Sequence, residues 1–244
     1  MYIYIIKKLI YKYMKKFNDF IVENKSDDTL KVLMLNCTLK SEGESNTEAL
    51  MKVVEDIYDE HDEQVEVEIV RVAKYKLSFG TTIEKVDDDD QFPELYEKIL
   101  WCDILIIGSA IWFGERTSIA SLIFERMIGA YKDTNELGQP KLYGKVGGVI
   151  ITGNEDGVHG VASMTLFNLA HLGCTIPPNP DCYWVGDAGP GDSYIKAGGK
   201  HHLYTNKTAY YLVDNTIHTA LMLRNNPINI NLTQLEEKAK KISK

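Results

Sequence analysis

Apolar residues fall into short blocks along this chain, and the blocks alternate between two spacings. Residues 30–36 (LKVLMLN), 104–108 (ILIIG) and 146–152 (VGGVIIT) are nearly unbroken apolar runs. Runs of that length predict strands buried on both faces, as in a parallel sheet. Residues 64–71 instead alternate Val65, Val67 and Ile69 with Glu66 and Glu68. That pattern predicts a strand with one wet face, near a sheet edge. Residues 47–59 put Leu50, Val53, Val54 and Ile57 on one helical face, with Ser45 or Asn46 as the cap. Further helices are predicted from Pro93 to Trp101 and over 117–131, 161–172 and 206–224, the last stopped by Asn225-Asn226-Pro227. A fifth strand is expected at 174–176 or at 182–185, with Pro177, Pro178 and Pro180 between the two. Residues 186–199 are rich in glycine and predict a loop.

Strands that alternate with helices imply a parallel sheet joined by right-handed crossovers. Five such strands predict an α/β three-layer sandwich. Residues 29–226 are expected to form this domain, residues 1–28 a basic extension, and residues 227–244 a charged, partly helical tail. In the extension, Lys7, Lys8, Lys12, Lys15 and Lys16 interrupt the apolar residues, so no run approaches the ~20 needed to span a bilayer. No small-residue cleavage site follows an apolar core either, so a cytoplasmic location is expected. A basic amphipathic helix on a membrane surface ranks below a helix packed on the domain, or an extension without a function of its own.

Composition narrows the function. The 244 residues carry a net charge of -8, which argues against a nucleic-acid binder. Cys37, Cys102, Cys174 and Cys182 form no C-x-x-C pair, which disfavours a zinc or iron–sulfur site and leaves buried thiols as the simpler reading. The run Asp87-Asp88-Asp89-Asp90 precedes a helix start, where negative charge is favoured, and consecutive side chains point different ways. No metal site is expected there. No G-x-G-x-x-G follows the first strand and no G-x-x-x-x-G-K-[ST] exists.

Three strand-to-helix junctions carry the candidate chemistry. In an open α/β sheet, ligands bind beyond the carboxyl ends of the strands, so such loops can converge. The first runs Asn36-Cys37-Thr38-Leu39-Lys40 to Ser45-Asn46-Thr47. Its hydroxyls, its amide and Lys40 suit a phosphate at a helix N-terminus, although Ser45 and Asn46 also suit a plain cap. The second, Ser109-Ala110-Ile111-Trp112-Phe113-Gly114, puts large apolar side chains just past a buried strand, where a flat ring or a partner subunit would cover them. The third, Thr152-Gly153-Asn154-Glu155-Asp156-Gly157, has glycines that let the backbone approach a ligand closely. A phosphate and a flat ring together point to a flavin mononucleotide. His159, beside the third loop, is more often structural than catalytic, and no catalytic residue is assigned.

In this order the three segments resemble the flavodoxin-like NADPH-dependent FMN reductase family, which includes quinone reductases. The resemblance covers roughly residues 30–224. It implies a flavodoxin-like fold, bound FMN, NADPH or NADH as co-substrate, a small acceptor such as a quinone or free flavin, and a homodimer or homotetramer. It implies phosphate contacts from Thr38, Lys40, Ser45, Asn46 and Thr47. It implies ring contacts from Ala110, Ile111, Trp112, Phe113 and Gly114, and from Thr152, Gly153, Asn154, Glu155, Asp156 and Gly157. The family commonly has a Gly-Ser-Pro-Arg type first loop, and a proline where Ala110 stands; this chain departs at both. Tyr183, Trp184 and Tyr194 are candidate lid aromatics. The alternative is a flavodoxin-like electron carrier with no enzymatic turnover.

Overall fold

The computed structural model describes residues 29–189 and 191–243; the basic extension expected at residues 1–28, and the amphipathic helix considered there, lie outside the described residues. Five parallel strands form the centre: β1 (Leu30–Asn36), β2 (Val65–Arg71), β3 (Ile104–Trp112), β5 (Val146–Gly153) and β6 (Asp181–Val185), in the order β2-β1-β3-β5-β6. A short β4 (Glu115–Arg116) pairs antiparallel with the end of β3. The chain order therefore reverses between β1 and β3, and this is the switch point at which open α/β sheets bind ligands.

Both faces of the sheet are covered, because successive strand residues point to opposite sides. Leu33 and Leu35 of β1, with Leu105 and Ile107 of β3, meet α2 (Phe92–Trp101) and α3 (Ser118–Met127). Val32, Met34, Ile104 and Ile106 meet α1 (Asn46–Asp59) and α5 (Leu203–Asn225) on the other side. Helix α4 (Val158–His171) packs Val161 and Ala162 on Val149 and Ile151 of β5. The result is the three-layer, flavodoxin-like α/β sandwich that the pattern predicts. Gly148 lets this packing close up, since a Cβ there would lie 2.9 Å from Leu212 Cδ1.

Several expectations are corrected. Of the two places for a fifth strand, residues 181–185 form it, while Thr175 makes a single bridge to Val146. Strand β3 runs to Trp112 rather than stopping at Gly108, because Ser109 and Ala110 stay in register with Ile151 and Thr152 of β5. Within the acidic run, Asp90 is fully buried against Arg126, a pairing that the sequence reading did not include. At the C-terminus, α6 (Leu232–Ile242) buries no residue, and its approach is tied down where Gln139 Nε2 donates to the carbonyls of Ile228 and Ile230.

Candidate functional site

One cavity, of about 230 Å³, opens at the switch point where the ends of β1, β3 and β5 meet. Its first end is built by the N-terminus of α1. Ser45 caps that helix by accepting from the Glu48 N–H at 3.2 Å. A helix start leaves its first amides without internal partners. Here the N–H groups of Asn46 and Thr47 donate to nothing among the described residues, and neither does the Thr38 hydroxyl. Unclaimed donors at the positive end of a 14-residue helix are the donor set a phosphate needs. Lys40 stands at the exposed rim, with Nζ donating to the Glu44 carbonyl at 3.3 Å.

The loop behind these donors is braced. Asn36 Nδ2 donates to Ser45 Oγ and to Glu48 Oε2, and Asn36 Oδ1 accepts from the Thr38 N–H. Arg71 donates to Glu48 through Nε at 2.8 Å and to the Gly43 carbonyl through Nη1. Thr47 and Thr152 share a buried hydrogen bond at 2.9 Å, which joins the first loop to the third.

The second end is apolar. Ala110, Ile111 and Trp112 line it from β3, and Trp184 lines it from β6. Trp112 is 54% exposed, so a face of the indole stays open for a stacked ring. Phe113 and Gly114, both at positive φ (52° and 78°), make the two-residue turn that reverses β3 into β4. That turn sends Phe113 outward, 96% exposed, and not into the cavity. Gly114 packs by its backbone on Gly157, which is itself at φ 116°.

Thr38, Lys40, Ser45, Asn46, Thr47, Ala110, Ile111, Trp112, Thr152, Gly153, Asn154 and Glu155 are thus brought together around the cavity. Phe113, Gly114, Asp156 and Gly157 are not in its lining; Gly114 meets Asp156 and Gly157 where the β3–β4 turn rests on the third loop. Leu39, within the first candidate loop but not assigned a contact, and Ser193, which nothing in the sequence singles out, also line it. Of the three candidate lid aromatics, Trp184 and Tyr194 line the cavity and meet edge-on at 5.6 Å. Tyr183 falls on the opposite face of β6, against His159 and Tyr204, as alternation along a strand requires.

Titration constrains the chemistry. Burial, with Cys182 nearby, pushes the Tyr194 phenol up to about 12, so it stays protonated at neutral pH. Its hydroxyl is buried and has no partner among the described residues. Burial likewise raises the Cys37 thiol, more than Arg116 lowers it, which removes it as a nucleophile. Among the described residues no group of three His, Cys, Asp or Glu side chains is placed to hold a metal.

A family profile described as NADPH-dependent FMN reductase matches residues 30–188. The 8-demethyl-8-aminoriboflavin-5'-phosphate synthase of Streptomyces davaonensis is 37% identical over 223 residues, covering 88% of this chain and 86% of the synthase. A crystal structure of RosB with the bound intermediate 8-demethyl-8-formylriboflavin-5'-phosphate superposes with a TM-score of 0.81 at 36% identity, covering 88% of each chain. A Mycobacterium bovis protein named divalent metal cation transporter MntH is 37% identical over 203 residues; the match covers 81% of this chain but only 29% of that protein. No helix among the described residues is long and apolar enough to cross a membrane.

Proposed function

The chain belongs to the NADPH-dependent FMN reductase family, and from that premise we propose that it is an FMN-dependent oxidoreductase taking hydride from NADH or NADPH and reducing a quinone, free flavin or another small acceptor. The observation that supports this most is the two-ended cavity, with unclaimed helix-end donors at one end and an open indole face at the other. When bound, FMN supplies the hydride acceptance and the electron release. The residues supply position. The amides of Asn46 and Thr47 and the Thr38 hydroxyl take the phosphate, with Ser45 holding the helix end in place and Lys40 adding charge at the rim. Ile111 and Trp112 cover the ring. The third loop, Thr152 to Glu155, presents backbone groups to the ring's polar edge, where they stabilise charge. Tyr194, held protonated, takes no proton.

The proposal extends to organisation. Residues 29–226 are the flavin-binding unit, and a chain trimmed to them is expected to bind FMN as tightly as the full chain, measured by fluorescence quenching; loss of binding would place part of the site in the removed segments. The protein is a homodimer or homotetramer that covers Phe113 and the exposed Met164 and Phe167 of α4, a helix packed beside β4. Four free, buried cysteines suit a reducing, cytoplasmic setting.

A second reading has its own support: 37% identity across most of both chains with a synthase of a modified riboflavin phosphate. On this reading the site would transform a flavin phosphate instead of keeping one as a cofactor. One experiment separates the two. FMN-loaded protein is supplied in air with NADH or NADPH and a quinone, and in a parallel reaction with an amino-group donor, and the flavin is then recovered for mass spectrometry. Acceptor-dependent nicotinamide oxidation with a flavin of unchanged mass supports the reductase. An altered flavin mass without that turnover overturns it in favour of the second reading.

A further inference from the structure

The charges around the open indole of Trp112 are of one sign. Glu155 lines the cavity from the third loop. Glu115 is the residue directly opposite Trp112 in the β3–β4 ladder. Directly opposed residues of an antiparallel pair share one face, with Cβ atoms about 5 Å apart, so Glu115 stands beside the indole. The turn between them rests on the third loop, where a Cβ on Gly114 would lie 3.9 Å from Asp156 O. Glu115, Glu155 and Asp156 are thereby gathered at the ring end. Beyond a Coulomb attraction between Glu115 and Arg116, none of the three carboxylates has a partner among the described residues. Arg116 does not neutralise them. It follows Glu115 in the strand, so its side chain leaves on the other face. There Nε donates to Ser121 Oγ at 3.1 Å, Nη1 and Nη2 donate to the Asn168 carboxamide oxygen at 2.9 and 3.0 Å, and the guanidinium lies 4.7 Å from the Phe124 ring centroid. Lys40, the only lysine or arginine in the lining, stands at the phosphate end.

We propose that Glu115 and Glu155 determine specificity as a charge filter: the second ligand, the one that stacks at the ring end, is a neutral or cationic aromatic, and aromatics bearing a carboxylate or sulfonate are turned away. The filter rests on the flavin reading given above, but not on which reaction the flavin undergoes. A cleft with apolar walls and charges of one sign focuses its field on whatever enters. A stacked ring also displaces water, so the carboxylates act on it through a lower dielectric than the bulk. Lys40 and the start of α1 offer an anionic second ligand no relief, because the flavin phosphate occupies them.

Redox-inert probes test the filter without turnover. The FMN-loaded full chain is titrated with a naphthalene carboxamide, a naphthyl trimethylammonium and a naphthalene sulfonate, and the shift of the flavin absorption band reports binding. The sulfonate is expected to bind about tenfold more weakly than the ammonium. In Glu115→Gln and in Glu155→Gln the ammonium-to-sulfonate affinity ratio should fall by about threefold each, and further in the double variant. The wild-type ratio should shrink as salt is added. A merely structural role would move all three probes alike and without regard to salt. Equal binding of ammonium and sulfonate by the wild type, a ratio unmoved in the double variant, or no binding of any probe would overturn the filter. If the protein holds no FMN, the flavin reading fails and the filter with it; FMN held without charge selectivity sinks the filter alone.

Discussion

Replacing Arg126 with leucine is expected to destabilise the protein by about 3–5 kcal/mol, the range for breaking a buried ion pair by removing one partner. Arg126 and Asp90 are both fully buried and meet at 2.8 Å. The guanidinium also donates to three carbonyls, through Nε to Thr82, Nη1 to Ser78 and Nη2 to Glu84, at 2.7 to 2.8 Å. It lies 4.3 Å from the Phe92 ring centroid. Leucine leaves Asp90 as an uncompensated charge and strips partners from the three carbonyls. Lysine does not rescue this, because one ammonium cannot reproduce the planar fork. Denaturant unfolding checks the expectation, and a loss below about 1 kcal/mol, the range of an exposed pair, would refute it.

The same pair sets an acid limb. Burial raises the Asp90 pKa, but the N–H groups of Val86, Phe92 and Ser78 and the Arg126 guanidinium together outweigh it, so the net shift is downward. A carboxylate with a depressed folded pKa contributes stability that is fully present above its unfolded value, about 3.9. That contribution drains away as pH falls from there through the depressed value. Asp90→Asn is therefore expected to be less stable at pH 7 and to show a flatter dependence below pH 4, approximately. An acid limb as steep as that of the wild type would assign it to other carboxylates.

This pair also shows what could not be read in the chain. Four consecutive aspartates before a helix look alike, and what singles out Asp90 is a cation 36 positions later. The central strands were legible because a buried parallel strand needs no alternation, and Leu30–Asn36 and Ile104–Gly108 offer only that reading. The fifth strand was ambiguous because two short apolar stretches flank the prolines, and only sheet pairing decides between them. The β3–β4 turn was illegible for a sharper reason. A bulky residue is disfavoured at positive φ, so nothing local predicts Phe113 there. The three site loops were readable because each follows a strand. Tyr194 was singled out as an aromatic, but Ser193 was not, since it sits inside the long connection between β6 and α5, where the sequence shows no local pattern.

Gly157→Ala is expected to weaken flavin binding by about tenfold to a hundredfold, provided that the strain it introduces, about 1–3 kcal/mol for each disfavoured feature, falls on the site. Two features act together. The backbone at φ 116° is one that a side chain rarely adopts. A Cβ at this position would lie 2.5 Å from Gly114 Cα and 2.6 Å from Gly114 O, both backbone atoms that cannot swing aside. The nearest relief is to lift the β3–β4 turn from the third loop. That turn is the continuation of Ile111 and Trp112, which cover the ring end of the cavity. Gly157 lies outside the residues that line the phosphate end, Thr38, Lys40 and Ser45 to Thr47. The loss should therefore be nearly equal for FMN and riboflavin. Titrating both flavins against the variant, alongside its melting curve, reads this directly. Wild-type affinity in a folded Gly157→Ala protein would show that the turn does not hold the ring.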